Sequence, residues 1–116
     1  MRYPLILALV LLAGCAAQQK ADNFEASLQD FYAASPDEVI FSMGAPDSRA
    51  ETSDGEVLTY RGEHRSTVPG YSDYTYQCQI DFRIVDDAVS DIQYRGSSDH
   101  PYHGDAENCG QVYGDR

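Results

Sequence analysis

Apolar residues along this chain change their period at Pro46, and that change divides it into a helical part and a strand part. Phe24, Leu28, Phe31 and Tyr32 recur at helical spacing and fall on one face, which predicts a first helix of about three turns beginning at Asn23. Ser35-Pro36-Asp37-Glu38 follows. It supplies a capping hydroxyl, a proline at the first helical position and an acid at the third, the signature of a helix start. The second helix carries Val39, Ile40 and Met43 and stops at Gly44-Ala45-Pro46, because glycine accepts a left-handed cap and proline cannot continue the ladder.

Beyond Pro46 the period becomes two. Ser53-Asp54-Gly55 lies between the strand-like runs Arg49–Thr52 and Glu56–Arg61, a hairpin signal. Gly62 to Asp73, with Pro69-Gly70 inside it, reads as a polar loop. The clearest strand is Tyr74–Val85, with Tyr76, Cys78, Ile80, Phe82 and Ile84 on one face and Gln77, Gln79, Asp81 and Arg83 on the other, so that one side meets a core. Asp86-Asp87-Ala88 turns the chain into a last strand, Val89–Arg95, with Ile92 and Tyr94 inward. Ser97 to Arg116 carries glycine, aspartate and histidine and reads as a coil fixed at Cys109. Helices followed by an antiparallel meander make an α+β two-layer sandwich.

The first residues change this picture. Met1-Arg2 followed by the apolar run Leu5–Ala13 is a secretory signal, far shorter than the roughly 20 residues a spanning helix needs. Leu12-Ala13-Gly14-Cys15 matches a bacterial lipobox. The expected organisation is therefore a signal peptide over 1–14, an acylated Cys15 with a small polar tether over 15–22, and a domain over 23–116 whose coil tail starts at about residue 97. More than one acyl chain makes such an anchor stable, and the absence of an acid at Ala16 fits sorting to the outer membrane, facing the periplasm. With Cys15 committed to lipid, Cys78 and Cys109 remain as an even pair in an oxidising compartment. A disulfide between them closes a loop of about 30 residues, worth roughly 3 to 4 kcal/mol on the loop-entropy account.

Charge removes one class of partner. The 116 residues hold 19 acids against 8 basic residues, a net charge of −11, and a nucleic-acid backbone needs cations to replace its counterions. Asp99-His100-Pro101-Tyr102-His103-Gly104-Asp105 is the one segment with metal-like composition, but its spacing is unspecific, and a solvated loop closed by Pro101 and Gly104 is the reading preferred. Asp86-Asp87 and Asp54/Glu56 sit in turns, where acids satisfy backbone amides. No Gly-x-Ser-x-Gly elbow accompanies the serines and histidines. The expectation is a chain without catalytic residues, metal or cofactor. Tyrosines are the more suggestive set: Tyr71, Tyr74 and Tyr102 lie in or beside loops and are candidates for a partner-binding patch, whereas Tyr76 and Tyr94 belong to the core.

A lipobox, a capped short helix ending in Gly44-Ala45-Pro46-Asp47, a hairpin into Val57-Leu58-Thr59-Tyr60, then Cys78-x-Ile80-x-Phe82 and Arg95-Gly96 ahead of Cys109 resemble the BamE-like (SmpA/OmlA) family of small outer-membrane lipoproteins, over residues 35 to 109. The resemblance implies two N-terminal helices packed on a three-stranded antiparallel sheet, and a protein partner in the cell envelope, the β-barrel assembly machinery, served as an accessory factor in outer-membrane assembly or envelope integrity. The chain departs from that family at Arg95-Gly96-Ser97-Ser98, where Cys109 is displaced by a longer insert. Tyr76-Gln77-Cys78 and Asn108-Cys109 also resemble the membrane-bound inhibitors of c-type lysozyme, which implies the alternative of a periplasmic hydrolase inhibitor or ligand-binding lipoprotein.

Overall fold

Strand pairing organises the chain between residues 48 and 98, where four antiparallel strands follow one another as a meander in the order β1 (Ser48–Thr52), β2 (Gly55–Ser66), β3 (Tyr74–Val85) and β4 (Ala88–Ser98). The computed structural model describes residues 18–67, 69–70 and 73–114. Cys15 and Tyr71 lie outside them. The β3–β4 turn is a two-residue connection in which Asp86 and Asp87 have φ of 51° and 60°. Successive left-handed residues match the twist of the flanking strands, and aspartate tolerates that region better than most side chains.

Three helices are described. α1 covers residues 18–29, α2 is Pro36–Met43 and α3 is Asp105–Tyr113. No helix among the described residues is long and apolar enough to cross a membrane. At α2 the caps stand where the sequence places them: the Ser35 hydroxyl accepts the Glu38 N–H at 3.2 Å, and Gly44, at φ 86°, donates its N–H to the Ile40 carbonyl at 2.8 Å. The helices cover the inner face of the sheet. Phe24, Leu28, Val39, Leu58, Ile80 and Phe82 form the centre of the core, with Phe31 and Tyr60 meeting the Phe82 ring edge-on at 5.3 and 5.7 Å.

Cys78 and Cys109 are bonded, with Cα atoms 4.9 Å apart. How α3 comes so close is written in the register. Cys78 pairs with Gly62 on β2 and with Gly96 on β4, so a Gly-Cys-Gly row crosses the sheet under the helix. A Cβ at Gly96 would lie 2.6 Å from the Asp105 carbonyl oxygen and one at Gly62 2.7 Å from Val112 Cγ1. Glycine at both positions is what lets the helix sit on the sheet at disulfide distance.

Five sequence expectations need correction. The sheet has four strands rather than the three the resemblance implies: the run at Ser48–Thr52 pairs with β2, as the hairpin signal at Asp54-Gly55 expects, although every residue of it is exposed. The stretch from 97 onward is not a coil tail: β4 runs to Ser98 and α3 follows. The polar loop is shorter than expected, since β2 continues to Ser66. Residues 18–22 are helical rather than a tether, with Ala21 buried beside Gly110 of α3. α1 ends before Phe31 and Tyr32, whose turn is closed by Ala33 at φ 66°.

Candidate interaction surface

Two surfaces stand out, the first of which carries residues singled out by the sequence. The first is a corner of rings where the far ends of β2 and β3 meet the segment between β4 and α3. His64 stands opposite Tyr76 on the same face of the sheet, their ring centroids 6.4 Å apart. Tyr76 continues to His103 at 5.8 Å, and His103 stacks on His100 at 3.8 Å with 16° between planes. Tyr74 packs on His100 at 4.8 Å. The chain's three histidines thus share one aromatic stack.

Side-chain hydrogen bonds hold the corner. The Ser98 hydroxyl donates to Asn108 Oδ1 at 2.7 Å and accepts the His100 N–H at 3.2 Å, while Asn108 Nδ2 donates to the His103 carbonyl at 3.4 Å. His100 Nδ1 accepts the Tyr102 N–H at 3.3 Å. The His103 Nδ1 atom is enclosed with no hydrogen-bond partner among the described residues. Burial, and then the His100 ring, hold His103 below the usual imidazole value, with Glu107 opposing. Imidazole lone pairs lie in the ring plane, so parallel stacking keeps the two rings from aiming nitrogens at one ion. Among the described residues no group of three or more histidine, cysteine or acidic side chains converges as a metal site.

The candidate tyrosines divide. Tyr102 is 88% exposed. Tyr74 is half-buried against His100 and Tyr76, so it is a structural member of the corner as well as part of its surface. Tyr76 and Tyr94 pack on the core side: Tyr76 is 5% exposed, and Tyr94 meets Phe24 edge-on at 5.0 Å. The Tyr94 hydroxyl donates to Glu25 at 3.0 Å, and burial, reinforced by that bond and by the charges of Glu25, Asp105 and Glu107, pushes its pKa up to about 12.

The second surface is the outer face of the sheet. Register places Arg61, Gln79 and Arg95 side by side across β2, β3 and β4, flanked by the rows Glu63–Gln77–Ser97 and Thr59–Asp81–Gln93. A shallow depression of about 500 Å³ lies among Arg61, Glu63, Gln77, Gln79, Arg95 and Ser97. Arg61 Nε donates to Gln79 Oε1 at 3.3 Å, Gln79 Nε2 donates to Asp81 at 3.3 Å, and the Thr59 hydroxyl donates to Asp81 at 2.7 Å. Arg95 makes no ion pair among the described residues. In a chain of net charge −11, four arginines, Arg61, Arg65, Arg83 and Arg95, share this face with the acids Glu63, Asp81 and Asp91. It is the least acidic side of the sheet.

Sequence reasoning missed a third feature. A cleft of about 390 Å³ opens between α1 and α2 over Phe24, Leu28, Phe31, Met43 and Ile80, and Phe41, on the solvent side of α2, is 92% exposed. The signal was present in Phe41, an apolar residue outside the helical stripe of Val39, Ile40 and Met43. Comparison with family models, with curated proteins and with solved structures finds no match to this chain.

Proposed function

We propose that this protein is a lipid-anchored binding protein of the outer membrane's periplasmic side, held by acyl chains on Cys15, and that it acts by contact with a protein of the cell envelope rather than by catalysis. The observation that carries this reading is the outer sheet face. Three long strands leave a polar surface whose centre is the Arg61–Gln79–Arg95 row, and exposed Tyr102 stands in the segment between β4 and α3. Arginine and tyrosine are the residues that most often dominate binding energy at such surfaces, and a wet, hydrogen-bonding interface suits glutamine and serine around them.

The resemblance to the BamE-like lipoproteins supplies the class of partner, the β-barrel assembly machinery. Support comes from the order of elements: helices first, with a capped α2 ending in Gly44-Ala45-Pro46-Asp47, then an antiparallel meander carrying Cys78. Affinity purification from detergent-solubilised envelopes tests it. The wild-type chain is expected to retain subunits of the barrel-assembly machinery, and Arg61→Asp combined with Arg95→Asp to lose them by at least tenfold. Equal recovery by both, or recovery of a soluble periplasmic hydrolase alone, overturns the reading.

A further inference from the structure

The outer edge of β4 holds a second binding surface that does not depend on the outer sheet face. Strand parity identifies its open groups. Thr75 N–H points toward the β4 side of β3 and donates to Asp99 Oδ1 at 3.0 Å, while Gly96 N–H points away from β3 and donates to Asp105 Oδ1 at 3.0 Å. Residues 92, 94 and 96 therefore turn their backbone groups outward, and 93 and 95 turn theirs into the sheet. Both ends of this edge are closed by the protein itself. Ala33 N–H donates to the Val89 carbonyl at 3.0 Å and Val89 N–H to the Ala34 carbonyl at 2.9 Å, a strand-like pairing, and Asp105 closes the edge at Gly96. Between them the N–H and C=O groups of Ile92 and Tyr94 have no partner among the described residues. Beside this window a groove of about 210 Å³ is lined by Glu25, Leu28, Gln29, Tyr32, Ile92 and Tyr94. Leu28 and Ile92 give it an apolar part, and at its other end the Glu25 carboxylate accepts the Tyr94 hydroxyl at 3.0 Å. Edge strands of ordinary proteins are guarded by lysine, proline or a cover; the window at 92–94 carries none of these among the described residues.

We propose that β4 accepts an extended segment of a partner protein by strand addition at Ile92 and Tyr94, and that the segment carries an apolar residue and a basic residue two positions apart. Residues opposite Ile92 and Tyr94, whose backbone groups face outward, form hydrogen-bonded antiparallel pairs that exchange both backbone bonds and share a face of the sheet. The apolar side chain then enters the groove beside Leu28, Tyr32 and Ile92. The basic one lies over Tyr94, where Glu25 meets it, and the net charge of −11 favours its approach.

The probe is a capped threonine peptide containing Lys-Thr-Val, added to the full-length protein in detergent micelles, with backbone amide exchange read by NMR. Without peptide, the amides of Ile92 and Tyr94 exchange at least tenfold faster than those of Gln93 and Arg95. With it they slow at least tenfold. Methylating the peptide nitrogens of Lys and Val, which face β4, abolishes the effect, and so does Glu in place of Lys; methylating the intervening Thr nitrogen, which faces away, leaves it intact. Protection that both methylated peptides give equally shows groove binding without strand addition and overturns the proposal. Protection that arises without peptide and grows with protein concentration shows pairing between two copies and overturns it as well, as does an absence of protection at Ile92 and Tyr94.

Discussion

His103 is a histidine whose protonation its surroundings visibly oppose. Its ring lies flat on His100, its Nδ1 atom is enclosed, and its proton affinity is lowered by burial first and by His100 second. The neutral form is the one that fits the corner. Unfolded chains take up this proton below about pH 6.5 while the folded chain resists it, so the stabilisation is complete above that pH and is lost as pH falls toward and through the lowered value. The thermal midpoint of the wild type is expected to drop between pH 7.5 and 5 by more than that of His103→Phe, which keeps a flat ring and cannot titrate. Parallel pH dependence of the two would place the sensitive group elsewhere. Tyr74 and Tyr102 separate on burial. Tyr74→Ala removes a half-buried ring from His100 and Tyr76 and should cost about 1 kcal/mol, the size of an aromatic pair, whereas Tyr102→Ala should stay within about 0.5 kcal/mol, as exposed substitutions do; urea unfolding compares them. The sequence distinguished Tyr76 as core by its place in the alternation of β3. It treated Tyr74 as loop-edge surface because the partner that buries it, His100, is distant in the chain and reaches it only once the segment after β4 folds back.

Elements were legible where their own residues repeat a period. β3 shows strict alternation from Tyr76 to Ile84, and α2 declares both ends through Ser35-Pro36 and Gly44. α3 was hidden for a physical reason. Its first position has no capping side chain, since Gly104 stands there, its N–H met by Glu107 at 3.2 Å and its carbonyl by the Asn108 N–H at 3.0 Å, and Gly110 interrupts the helical pattern because α1 passes against it, 2.8 Å from a Cβ placed there to Ala21 N. A residue selected for close approach reads as a breaker when its neighbour is unknown. The first turns of α1 were hidden in the same way, since alanine at a tight crossing looks like alanine in a linker. Two substitutions test how α3 is held. Gly96→Ala puts a methyl group against the Asp105 carbonyl and should cost roughly 1 to 3 kcal/mol of overpacking, measured by denaturant midpoint. Replacing Cys78 and Cys109 by serine should cost roughly 2 to 5 kcal/mol, with amides of residues 105–113 losing exchange protection ahead of those in β3. A change below about 0.5 kcal/mol in the serine variant would mean that α3 is held without the bond.

At the scale of the whole molecule, charge is sorted by face. The helices and turns carry most of the acids, among them Glu25, Asp30, Asp37, Glu38, Asp54 and Glu107, while the outer sheet face sets Arg61, Arg65, Arg83 and Arg95 against Glu63, Asp81 and Asp91. Composition showed the net charge and could not show this sorting, which exists only once the strand register is set. An anchor at Cys15 would hold the domain at the membrane. Cys15→Ala is expected to leave an unprocessed chain that takes up no labelled acyl group, and a processed or acylated form of that variant would contradict the anchor. The central claim is that the outer sheet face meets a protein. Photocrosslinking in living cells from Gln79, at the middle of that face, measured beside Asp37 on exposed α2, tests it most directly. The account predicts a discrete adduct with an envelope protein from Gln79, diminished when Arg61 and Arg95 are reversed in charge, and none from Asp37. An adduct from Asp37 with none from Gln79 would contradict it.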